Sequence, residues 1–173
     1  MKAVVARRYG PPEVLALEEL PVPRPGAGQI QVRIRAAALN PADLRSLSGV
    51  LRDLAPLTFP HVPGSDFAGT VAEVGPGVGR FAVGDEIFGA GLPRATAAMA
   101  EMFSTPPSFT TGAMAEYAVF DADTPALARR PAALAADRAA SLPIPGLTGS
   151  VLLRAGRFEA GERVADNASQ SAF

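Results

Sequence analysis

Two short stretches hold most of the side chains able to do chemistry. "ALNPADLR" carries Asn40, Asp43 and Arg45, and "FPHVPGSDF" carries His61, Ser65 and Asp66. An amide, two carboxylates and a guanidinium can orient a carbonyl or bind an anionic group. Asn40 follows the apolar run Ala36–Leu39, so two roles are open to it. It can cap a helix, or its amide can leave the core and face a cleft. His61 is the single histidine. A metal site would have to combine it with Asp66, Asp43 or Glu116, and no spacing recommends this. A Ser65–His61–Asp66 nucleophile arrangement lacks the G-x-S-x-G elbow and packs its three groups into one segment, where such groups seldom converge. His61 therefore reads as a loop histidine beside a turn.

The glycine-rich piece "GPGVGR" (75–80) is not a phosphate loop. Its glycines fall at 75, 77 and 79, and a strand rather than a helix follows. Cysteine is absent, which excludes disulfides, thiolate catalysis and cysteine-ligated zinc. A net charge of −1 gives no basic patch for nucleic acid. The start "MKAVVARRYG" is not a secretory leader, and the weakly charged stretch 92–114 is broken by Pro93, Arg94, Glu101, Pro106 and Pro107, so no membrane span is expected. A soluble, cytoplasmic protein is the expectation.

The elements that must position these groups are short and β-rich. Apolar residues make up 48% of the 173, enough for a core, and 17 Pro and 17 Gly punctuate the runs. Segments 2–8 and 14–20 read as an antiparallel pair around "YGPPE". "QIQVRIR" (29–35) alternates, with Ile30, Val32 and Ile34 on a buried face and Gln29, Gln31, Arg33 and Arg35 on a wet one. A helix should begin at Pro41 with Asn40 as its cap and Asp43 in its first turn, and stop at Gly49. Strands are expected at 65–75, 85–91 and 113–120. From Leu134 to Gly161 the pattern is helical, interrupted at Pro143 and Pro145. The excursion 91–114 holds three of the four Met and two Phe. It reads either as a packed excursion or dimer contact, or as an apolar lid over a cleft, in which case Met99 and Phe103 join Asp66 and Tyr117 as candidate substrate contacts.

Taken in order, "MKAVV", "ALNPADLRSLSG", "FPHVPGSDFAGTVAEVGPGVGRFAVGDEIFG", "GAMAEYAVF" and "AASLPIPGLTGSVLLRAGRFEAGERV" resemble the medium-chain dehydrogenase/reductase superfamily, and within it the zinc-independent quinone oxidoreductase and enoyl reductase branch. The resemblance covers nearly all of Met1 to Val164. It implies a mainly β fold with some α: a GroES-like, partly open β-barrel over 1–125 and a helical connector over 126–164. Residues 165–173 form a tail outside the family pattern. Where zinc-dependent members place a metal-binding Cys and His, this chain has Asn40 and Ser65, so no metal is implied. The resemblance puts Asn40 beside nicotinamide and substrate, brings Thr148 of "GLT" near the cofactor, and puts Arg45 where some members have a substrate-side Tyr.

In the family, "GERV" leads into a Rossmann sheet that binds NADPH. Here "ADNASQSAF" follows Val164, with no glycine and too few residues for one βαβ unit. The expectation is a substrate-side domain with no complete Rossmann domain and no cofactor of its own, NADPH entering by family resemblance only. It would be unable to transfer hydride alone. The alternative is a cofactor-independent cyclase, isomerase or binding protein that uses the barrel cleft for an apolar small molecule through Asn40, Asp43, Arg45, Asp66 and Tyr117. The surface that a Rossmann domain would cover is expected to find a partner, as a homodimer or a hetero-complex.

Overall fold

The computed structural model describes residues 1–53, 55–91 and 112–156. The expected first hairpin forms: β1 (Lys2–Val5) pairs antiparallel with β2 (Ala16–Glu19), with a 3-10 turn at Pro12–Val14 between them. The remaining strands are β3 (Gln29–Ala38), β4 (Asp66–Val74), β5 (Glu86–Ala90), β6 (Tyr117–Asp121) and β7 (Leu127–Arg129). They make an antiparallel sheet in the order β6-β3-β4-β5-β7. The sheets are open rather than closed, and among the described residues three helices accompany them: α1 (Pro41–Ser48), α2 (Ala136–Ala140) and α3 (Pro143–Gly156). Among the described residues no helix is long and apolar enough to cross a membrane.

The main core lies on one face of the larger sheet. Ile30, Val32, Phe67, Val71, Ile87, Phe120 and Leu127 are all buried there. Phe67 and Phe120 stack with ring centroids 4.1 Å apart and planes 6° from parallel, an offset aromatic pair at the centre of the cluster. The opposite face is covered at its far end by α2. Ala139 and Ala140 meet Ala36, Ala68 and Phe88, and the small side chains let the helix lie close to the sheet.

A β-bulge decides which residues of β3 reach that second face. Ile34 pairs with Gly69 but Ala36 pairs with Ala68, so Arg35 is an extra residue on β3. The strict alternation of Ile30, Val32 and Ile34 would have carried Ala36 to the core. The bulge turns Ala36 toward α2 instead, and leaves Ala38 opposite Asp66 on the same face.

Other departures from the sequence expectations have local causes. Gln31, expected on the wet face, is buried because its amide donates to the Pro23 carbonyl at 2.5 Å. The strand expected at 113–120 is divided between two partners. The Val4 amide donates to the Met114 carbonyl and the Glu116 amide to the Lys2 carbonyl, so this part joins β1, and only Tyr117 onward joins β3 as β6. β7 has no alternating pattern, being only three residues long, and the sequence does not announce it. Pro143 opens α3 rather than breaking it, and Pro145 sits in the first turn, where a missing N–H leaves no intrahelical bond unmade. The break between α2 and α3 falls at Ser141 and Leu142. The proposed lid, with Met99 and Phe103, lies largely outside the described residues, as do residues 157–173.

Candidate functional site

Asn40, Asp43, Ser65 and Asp66 converge where β3 ends, α1 begins and β4 begins. Asn40 has an extended backbone (φ −106°, ψ 158°) and sits at the cap position of α1, as its place before Pro41 suggests. The strong capping bond runs backward: the Asn40 amide N–H donates to Asp43 Oδ2 at 2.7 Å. The Asp43 N–H donates to the Asn40 main-chain carbonyl at 2.9 Å. The other Asp43 oxygen, Oδ1, accepts the Ser65 hydroxyl at 2.6 Å. One carboxylate thus ties the start of α1 to the loop before β4. At its other end α1 stops at Gly49, whose φ of 82° is left-handed.

The Asn40 side chain turns toward Asp66, and its Nδ2 donates to Asp66 Oδ2 at 3.2 Å. Asp66 also accepts the Ile144 backbone N–H, at 3.1 Å to Oδ2 and 3.2 Å to Oδ1. Ile144 lies in the first turn of α3, where amides lack intrahelical partners and the helix dipole favours a carboxylate. Asp66 is 1% exposed, while Asn40 and Asp43 are each 9% exposed. Burial raises the Asp66 pKa above the usual carboxylate value. The hydrogen bonds from Asn40 and Ile144 work against that rise, and the nearby Asp43 charge adds to it.

His61 is buried beside this cluster and anchored by its backbone, which exchanges hydrogen bonds with Ala6 at 2.8 and 2.9 Å. Its Nδ1 has no hydrogen-bond partner among the described residues. Burial lowers its pKa to about 4, with Asp43 pulling the other way. The Ser65–His61–Asp66 nucleophile arrangement does not form, since Ser65 donates to Asp43 and Asp66 faces Asn40 and Ile144. Among the described residues no group of three or more His, Asp or Glu could hold a metal.

The other sequence candidates fall around the cluster at different distances. Arg45 is exposed on α1, two residues from buried Asp43 and on the helix's other side. Thr148 is exposed on α3, one turn after Ile144, and its hydroxyl donates to the Ile144 carbonyl at 3.1 Å. Tyr117 stands apart: it pairs with Arg33, five residues before Ala38, or roughly 16 Å back along β3 at strand rise. Glu116 accepts the Lys2 amide at 2.8 Å and serves the β1 junction. Two participants escape the sequence reading. The Ser65 bond to Asp43 joins residues far apart in the chain, and the Ile144 N–H is a backbone group with no side-chain signature. The one available signal was proline at 143, which marks a helix start and therefore a set of free amides.

"GPGVGR" forms the β4–β5 turn. Gly77 has φ 80°, and the Val78 N–H bonds back to the Gly75 carbonyl at 3.4 Å. A pocket of about 270 Å³ opens there, lined by Gly28, Gly77, Val78, Gly79, Arg80 and Asp123. It lies at the opposite end of β3 from Asn40. Arg80 is not free to bind an anion in it, because the guanidinium is committed to the carbonyls of Ala122, Thr124 and Leu127.

Residues 26–131 match the alcohol dehydrogenase GroES-like domain, and the chain belongs to that family. Its relatives place it in the medium-chain dehydrogenase/reductase superfamily. It is 38% identical over 149 residues to a chloroplastic quinone-oxidoreductase homolog of Spinacia oleracea, a match covering 86% of this chain and 40% of that one. Among solved structures, the quinone oxidoreductase of Coxiella burnetii superposes with a TM-score of 0.73 at 28% identity, over 94% of this chain and 47% of that one. The Escherichia coli quinone oxidoreductase, solved in complex with NADPH, does so with a TM-score of 0.70 at 29% identity, over 89% and 40%. The chain spans about 40% of the length of the first of these relatives.

Proposed function

We propose that this chain is the substrate side of a zinc-independent, NADPH-dependent quinone oxidoreductase or enoyl reductase, and that Asn40 orients the hydride acceptor. The observation that carries the reading is the placement of Asn40: a largely buried amide where β3 gives way to α1, held at its side chain by Asp66 and at its backbone by Asp43. An amide held in this way is pre-organised to meet a carbonyl or hydroxyl without reorganising. The resemblance to quinone oxidoreductases, one of them holding NADPH, supports the choice of reaction.

The described residues fit one end of the cofactor only. Asn40 at the cap of α1, and Thr148 one turn after Ile144 on α3, can flank a nicotinamide ring. Among the described residues no glycine turn leads into a helix to take the pyrophosphate, since "GPGVGR" is spent on a strand-to-strand turn. NADPH would supply the hydride, while this chain binds and orients the acceptor. These residues by themselves should therefore bind NADPH weakly, and turnover needs a nicotinamide-binding domain beside them. α3 exposes Leu147, Val151 and Leu153 at 55%, 64% and 62%, which supports a homodimer or hetero-complex through this helix.

Titration of the chain with NADPH, followed by nicotinamide fluorescence, tests the cofactor statement. A 1,4-benzoquinone added to isotopically labelled chain tests the acceptor statement. Weak NADPH binding together with quinone-induced shifts at Asn40 and its neighbours is expected. Tight NADPH binding, or quinone reduction by the chain alone, overturns the first statement. Quinone shifts that avoid Asn40 overturn the second.

A further inference from the structure

We propose that Asp66 is a positioning residue that couples the Asn40 amide to the docking of α3, so that acceptor-side geometry follows the attachment of that helix. The role at the acceptor rests on the function proposed above, but the coupling is a property of the chain itself.

Four observations converge on Asp66. It is the first residue of the central strand β4, hydrogen-bonded in register between Ala38 and Ala90, so its backbone is held from both sides. It is 1% exposed and therefore acts through its neighbours rather than on a ligand directly. Its single carboxylate receives both the Asn40 side-chain amide and the Ile144 backbone N–H, and the two donors meet on Oδ2. Finally, α3 buries none of its own residues. A helix so thinly attached by apolar contacts depends on its polar tie, and the tie at its first turn is Asp66. Two donors sharing one buried oxygen cannot move independently: loosening either changes the charge and solvation felt by the other. Asp66 shares its face of β4 with Ala68, which packs against α2, and the Arg35 bulge in β3 brings Ala36 and Ala38 to that same helix-covered face.

The test uses the full 173-residue chain and needs no turnover. Amide exchange at Ile144 and the side-chain nitrogen shift of Asn40 are followed by NMR across pH. In the wild type both are expected to follow one shared titration step. Asn40→Ala, which removes no hydrogen bond made by α3 itself, should speed Ile144 exchange several-fold. Asp66→Leu should speed it at least tenfold. Should Asp66→Leu fail to fold, Asp66→Asn serves in its place: it keeps one carbonyl acceptor, retains partial protection at Ile144, and abolishes the shared titration step. Ile144 exchange unchanged in Asn40→Ala, or separate titration steps for the two reporters, overturns the coupling. A chain that shows the coupling but no quinone-induced shift at Asn40 overturns the proposed function and leaves this inference standing. Shifts at Asn40 without coupling do the reverse.

Discussion

Acidification should destabilise this protein through His61. His61 is neutral when buried, its pKa lowered from 6.5 to about 4 because burial disfavours the imidazolium, with Asp43 offsetting part of the effect. In the unfolded chain it charges near its ordinary value. The His61 contribution is therefore constant above pH 6.5, turns unfavourable as the pH drops through 6.5 toward 4, and changes no further below that. The full loss is about 3 kcal/mol, at 1.36 kcal/mol for each pH unit between the two values, and at pH 5 it is already about 2 kcal/mol. Asp66 works with the opposite sign. Its folded pKa is raised, so the stability it contributes is present below the usual carboxylate value and lost as the pH rises through its folded pKa. Comparing wild type with His61→Leu at each pH cancels that term. The substitution leaves the backbone bonds to Ala6 in place and removes the unpartnered Nδ1. Urea unfolding midpoints at pH 7 and pH 5 should show the wild type losing about 2 kcal/mol more than the variant. Parallel losses in the two proteins would refute the assignment of acid sensitivity to His61.

Two further outcomes follow from the packing. Phe67→Ala removes the fully buried half of the stacked pair with Phe120 and should cost about 3–5 kcal/mol in denaturant melts, a cost below about 1 kcal/mol showing that the core collapses around the gap. Asp43→Ala strips the Asn40 N–H and the Ser65 hydroxyl of their shared acceptor and should cost about 2–3 kcal/mol, with faster amide exchange across the first turn of α1. Combined with Ser65→Ala the loss should be less than additive, and strict additivity would show that the Ser65–Asp43 bond contributes nothing.

Much of the architecture was legible because it is written in local rules. Alternation marked β3 through Ile34, proline after Asn40 set the start of α1, and Gly49 supplied the left-handed residue that ends it. The spacing of glycines in "GPGVGR" excluded a phosphate loop, and the turn that forms there agrees. Linked motifs in order were enough to place the chain in its superfamily, since each is a stretch of contiguous residues. Asn40 was visible as a candidate for the same reason, though with two roles open.

What remained hidden depends on contacts across the chain. No local pattern says that Gln31 will find the Pro23 carbonyl, that 113–121 will be shared between two sheets, or that β7 exists at all. The site is the clearest case. Sequence determined the residue types at 40, 43, 65 and 66, and hence which protons and charges are available. Only the tertiary structure decided that Ser65 serves Asp43, that Asp66 is sealed from solvent, and that its partner is a backbone amide of a helix beginning at Pro143. The physical reason is that each of these bonds joins groups far apart in the chain, which meet only when the strands and helices assemble. The bulge at Arg35 is of the same kind: one extra residue in β3 reverses the face its later side chains take, and the register with β4 decides it.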